Sequence, residues 1–139
     1  MRKIKWLSAT LIVSTLLVLY SCEKNSTEDG PTTADREKFL GDWQGSSTGS
    51  SGNSLNWNMT ITASNSAPDQ ILMYNFDLYT MVVGTVSGNS ITIPGAPLNV
   101  FASDTVAGSG TYNSNNTLSF NFTIKDGQTT DYRTGSAHK

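Results

Sequence analysis

From Leu55 to Thr62 every second residue is apolar, with Leu55, Trp57, Met59 and Ile61 alternating against Asn56, Asn58, Thr60 and Thr62. Successive side chains of an extended strand point to opposite faces, so a period of two gives this segment one face for a core and one for water. Leu118, Phe120, Phe122 and Ile124 repeat the pattern against Ser119, Asn121, Thr123 and Lys125. A chain built this way has to form sheets, and it has to cover one side of them.

The remaining segments obey the same rule. Ile71 to Phe76 and Tyr79 to Val83 are apolar on both faces, Val86 to Ile93 turns at Ser87-Gly88-Asn89, and Pro94-Gly95 breaks the pairing. Thr105 to Tyr112 and Thr129 to Thr134 complete the set, with turns at Asn113 to Asn116 and at Asp126-Gly127. Gly, Asn, Asp, Ser and Pro separate the runs, as hairpin turns require. No segment is long enough for a helical crossover, so the strands must be antiparallel. About eight of them in roughly 100 residues hide their edges best by closing on themselves, which predicts an all-β, antiparallel, up-and-down barrel of about eight strands. A sandwich of the immunoglobulin type is the alternative. Ahead of the first strand, Thr32, Thr33, Asp35 and Glu37 suit the start of a short helical turn that stops at Gly41.

The first residues belong to something else. Arg2, Lys3 and Lys5 precede an apolar run from Trp6 to Leu19, short for a membrane span and right for a secretory signal. The run ends in Leu19-Tyr20-Ser21-Cys22, which resembles the lipobox of bacterial lipoproteins. That resemblance implies a signal peptide over residues 1–21, lipid attachment at Cys22 and anchoring in the cell envelope. An ordinary secretory peptide cut near Ser21 is the alternative. Cys22 is the chain's single cysteine, so no intrachain disulfide can staple the domain. Residues 22–33 are polar and read as a tether, leaving one domain over residues 34–139. Glu23, Glu28 and Asp29 resemble the surface-export signals of Bacteroidetes lipoproteins.

Removing Arg2, Lys3 and Lys5 from the nine Lys and Arg leaves six basic residues against eleven Asp and Glu. Without a basic patch, nucleic acid is a poor partner. Catalysis also lacks material. The one histidine, His138, is next to the C-terminus, and no nucleophile pair, metal-ligand spacing or cofactor motif is visible. Asp69 with Asp77 and Asp126 with Asp131 read as turn residues accepting amide bonds, and Gly45, Gly49 and Gly52 as loop glycines.

Phe39-Leu40-Gly41-Asp42-Trp43-Gln44-Gly45, with Gly108-Ser109-Gly110-Thr111-Tyr112 further on, resembles the short lipocalin-like lipoproteins of Bacteroidetes. Gly41-Asp42-Trp43 is similar to the Gly-x-Trp that opens the first lipocalin strand. The resemblance implies a structural clasp in which Arg133, late in the chain, packs across Trp43 at the closed end of the barrel. It also implies an interior that binds a small apolar or amphipathic ligand. Trp57, Met59, Phe120 and Phe122 are the expected lining, with Met81 joining them. Two other readings stand beside it. A filled barrel would serve as an envelope interaction or inhibitor module, and surface aromatics at Tyr74 and Tyr79 would suit a glycan.

Overall fold

The computed structural model describes residues 33–97 and 104–139. The expected signal peptide, most of the expected tether and Cys22 lie outside the described residues. A single helical turn, α1 (Thr33–Glu37), leads into eight strands: β1 (Gly41–Gly49), β2 (Ser54–Ala63), β3 (Gln70–Phe76), β4 (Tyr79–Ser87), β5 (Ser90–Pro97), β6 (Thr105–Asn113), β7 (Thr117–Asp126) and β8 (Thr129–His138). Each strand pairs antiparallel with the next, and β8 pairs with β1 to close the barrel.

The alternation that defined the strands now defines inside and outside. Trp57, Met59 and Ile61 of β2 and Leu118, Phe120, Phe122 and Ile124 of β7 are buried, while their polar neighbours are largely exposed. Trp57, Phe76, Phe120 and Phe122 meet in one aromatic cluster with ring centroids 4.9 to 6.3 Å apart. Space for these rings comes from inward positions without side chains. A Cβ on Gly45 would stand 2.2 Å from the Trp57 ring, and one on Gly110 would stand 2.7 Å from Phe120. Gly45 and Gly49 lie within β1 and are not loop glycines.

One end is closed by the segment before β1. Phe39 is fully buried and stacks edge-on against Tyr112, which also meets Trp43 edge-on. Trp43 donates its indole N–H to the Phe39 carbonyl at 2.7 Å. Arg36 ties α1 to the β2–β3 connection by donating to the Ser64 and Ala67 carbonyls, each at 3.1 Å. Gly41 enters β1 at φ 113°, a conformation open to glycine.

Pro94-Gly95 breaks the pairing on one side only. β5 stays with β6 through a register shift between Pro94 and Ala96. Among the described residues it pairs with β4 at Thr85, Val86 and Ser87 alone. Proline has no amide proton to offer β4, so the seam loosens from Pro94 onward.

Candidate functional site

The other end carries the buried ionic chemistry. Its elements are the β3–β4 hairpin, the β1–β2 turn and the start of β8. Phe76 pairs with Tyr79, leaving Asp77 and Leu78 as a two-residue turn. Both have positive φ, 50° and 71°, and Asn75 before them has φ 60°. Left-handed backbone at both central positions is the geometry of a type I′ turn, which normally selects Asn and Gly. Leucine there costs about 1–2 kcal/mol. The turn is held by the side chain beside it.

Asp77 points into the barrel and is 3% exposed. Arg133, inward on β8, donates from Nη1 to Asp77 Oδ2 at 2.6 Å. Ser47, inward on β1, donates its hydroxyl to Asp77 Oδ1. The second guanidinium nitrogen reaches the Asn53 carbonyl at 3.5 Å. Asp131, one layer out, stands 3.5 Å from Arg133 Nε and accepts bonds from the Ser50 amide and hydroxyl. Burial holds the Asp77 carboxyl above the usual carboxylate range, opposed by Ser47 and then Arg133. Tyr79 packs partly buried against the core, and burial followed by the nearby Asp104 and Asp77 carboxylates raises its phenol. The Ser50 bonds lower Asp131.

Two donors in this half of the molecule are unspent. Trp57 is 4% exposed, yet its indole N–H has no hydrogen-bond partner among the described residues. Arg133 Nε is in the same condition, with only the ion-pair contact to Asp131. A buried donor left unpaired costs about 1–3 kcal/mol, so an acceptor that reached it would be bound favourably.

The expected lining divides. Trp57, Met59, Phe120 and Phe122 are inside, as the alternation requires. Met81 is 40% exposed, because its cross-strand partner is the outward Tyr74 and its inward neighbour is Val82. It belongs to the outer wall. Tyr74 is 38% exposed beside it, whereas Tyr79 is half-buried and packs against the core. Phe76 was not among the expected lining. Ile71 and Met73 point inward, and strict alternation would put Asn75 next, but the positive φ of Asn75 carries Phe76 in instead.

Arg133 does not pack on Trp43. Arg133 lies opposite Gly49, six residues along β1 from Trp43, and its charge is spent on Asp77. The cation over the Trp43 ring is Lys139, 4.6 Å from the centroid, whose ammonium also donates to the Leu40 carbonyl at 2.6 Å and the Lys38 carbonyl at 3.2 Å. The Trp43 face is therefore covered by a cation just past β8, and the expected clasp through Arg133 is absent. Arg133 is instead buried at the end opposite α1. Asp77 likewise is a buried ion-pair partner, and not a turn carboxylate spent on amides.

No protein family and no curated protein matches this chain. Solved structures do match. The barrel EF1p2_mFAP2b, solved bound to DFHBI, superposes with a TM-score of 0.57 at 16% identity, over 78% of this chain and 98% of that one. The redesigned β-barrel mFAP1, also bound to DFHBI, gives 0.54 at 17% identity over 76% and 98%. The redesigned β-barrel b11L5F_LGL gives 0.52 at 19% identity over 76% and 94%. At these identities the likeness is one of fold: a closed antiparallel eight-stranded barrel.

Proposed function

We propose that this chain is a binding protein rather than an enzyme: a cell-envelope lipoprotein whose barrel takes a small amphipathic ligand at the end opposite α1. The observation that carries the reading is the buried indole N–H of Trp57, unpartnered within an aromatic cluster beneath the Ser47–Asp77–Arg133 network. A ligand with a flat apolar body would lie on Trp57, Phe76 and Phe122. A carbonyl or similar acceptor on it would take the free donor. Pockets of this kind are mostly apolar with a few placed polar groups. Two barrels of the same fold were solved with DFHBI bound, which supports the architecture as a host for small molecules.

Because the rings already occupy the middle of the barrel, the ligand reaches Trp57 by parting the side chains above it and does not enter a preformed cup. The lipocalin-like resemblance, the outer-membrane address and the Cys22 anchor belong to this proposal. Several acyl chains hold a protein stably where one is marginal. Native mass spectrometry of the lipidated protein, extracted gently from its own membrane, is the test. The expected result is a discrete small-molecule mass beyond the acylated chain, lost in Trp57→Phe, which keeps a ring and removes the donor. A wild-type spectrum with the acylated chain alone would overturn the small-ligand reading. For the anchor, Cys22→Ala is expected to abolish fatty-acid labelling and release the protein in soluble form. Persistent palmitate incorporation would contradict it.

A further inference from the structure

The outer wall formed by β2, β1, β8, β7 and β6 carries almost no charge. One transverse row runs Asn56, Ser46, Ser136, Ser119, Thr111, and the next runs Ser54, Thr48, Thr134, Asn121, Ser109. All ten residues are exposed. Five strands at about 4.8 Å spacing make this face roughly 19 Å wide. Surfaces of soluble domains are ordinarily about a quarter to a third charged, so two complete rows of hydroxyls and amides are unusual. The next row holds Tyr132, Thr123 and Ala107. Tyr132 is 67% exposed, the most exposed of the large apolar side chains among the described residues.

Beside Tyr132 the wall is hollow. A groove of about 470 Å³ opens there, lined by Tyr132, Thr134, Asn121, Thr123 and Ala107 among others. Its floor is low because Ala107 is a methyl group and Thr123 folds its hydroxyl onto the Ala107 carbonyl at 3.3 Å. The side chains of Asn121 and Thr134 have no hydrogen-bond partner among the described residues, so an amide and a hydroxyl are presented outward.

We infer that this groove is a binding site for a neutral carbohydrate, with Tyr132 as the stacking platform. A tyrosine ring is negative on its face, and the C–H bonds on one side of a pyranose are weakly positive. Asn121 supplies one carbonyl and two N–H donors, and Thr134 one hydroxyl, matching the mixed donors and acceptors of sugar hydroxyls. The uncharged rows beyond the groove extend the same chemistry along a chain of sugars. They disfavour polyanions, since the two rows hold no cation and Arg133, which also lines the groove, is committed to Asp77. The site is on the outside of the barrel and is independent of the ligand proposed for the interior.

Affinity electrophoresis of the whole mature protein in native gels containing dextran, amylose, laminarin or yeast mannan tests the inference, with alginate as the charged comparison. At least one neutral polymer is expected to retard the protein, and alginate is not. Tyr132→Ala should weaken retardation about tenfold or more, as truncation of a central aromatic does. Tyr132→Phe should keep it, Asn121→Asp should reduce it, and Tyr74→Ala on the opposite wall should leave it unchanged. Circular dichroism checks that each variant is folded. Absence of retardation by all four neutral polymers, equal retention on alginate, or a folded Tyr132→Ala that binds like wild type would overturn the assignment.

Discussion

Replacing Arg133 by Met should be among the most damaging single changes at the end opposite α1. The Asp77 side chain is fully buried and Arg133 nearly so, and the pair meets at 2.6 Å. Removing the guanidinium leaves the carboxylate with Ser47 alone. Breaking one side of a buried pair costs about 3–5 kcal/mol, because the remaining charge is uncompensated. For a domain of this size, at roughly 4 °C per kcal/mol, the melting temperature falls by about 12–20 °C. Removing both charges is a different experiment. Asp77→Leu with Arg133→Met leaves no orphan charge, and the double variant should lie within about 2 kcal/mol of wild type. Urea denaturation followed by tryptophan fluorescence closes the cycle. The Arg133→Met penalty should also shrink on acidification, because Asp77 then escapes its charge by taking up a proton. A penalty below about 1 kcal/mol, the size of an exposed ion pair, would refute the reasoning.

Three further changes follow from the same geometry. Gly45→Ala places a methyl 2.2 Å from the Trp57 ring and should cost about 1–3 kcal/mol, with a changed near-ultraviolet dichroism band reporting a displaced indole. Leu78→Gly should stabilise the protein by about 1 kcal/mol, since Leu78 at φ 71° is strained and 57% exposed; an unchanged urea midpoint would show the turn to be relaxed. For pH, the raised Asp77 carboxyl means the folded state holds a proton that the unfolded chain releases at lower pH. Its contribution is fully present below the ordinary value of 3.8 and is lost as pH rises through the raised value. Asp131, lowered by Ser50, contributes above 3.8 and loses that contribution as pH falls below it. Asp77→Asn should remove the first dependence and keep the second, so parallel stability profiles for variant and wild type above about pH 4 would contradict the assignment.

The strands were legible because alternation is a local property. β2 and β7 declare their inward faces residue by residue, and the turns at Gly88, Asn116 and Gly127 fall where the breaker residues stand. β3 and β4 were harder. Both are apolar on either side, so nothing local told that Tyr74 and Met81 face outward together, or that Asn75 would reset the phase and send Phe76 inward. The stagger of β8 against β1 is not local at all. Hairpin turns set neighbours in sequence, but the register that closes the barrel depends on the shear accumulated over all eight strands. That single quantity decides whether Arg133 or Lys139 stands across from Trp43. A lysine at the last position of the chain gave no signal of its own. Asp77 was visible as a turn residue, yet its burial could be found only by bringing Ser47 and Arg133 to the same end.

On the proposed reading, the Trp57 indole N–H is the group that an acceptor on a small ligand would take. Among the described residues there are two indoles, and that of Trp43 is already bonded to the Phe39 carbonyl. A 15N–1H correlation spectrum of gently purified protein can therefore be compared with the same protein unfolded, stripped of small molecules and refolded. The Trp57 indole resonance is expected to move downfield in the gently purified sample while that of Trp43 stays in place. Superposed indole resonances in the two samples, or a shift confined to Trp43, would contradict it.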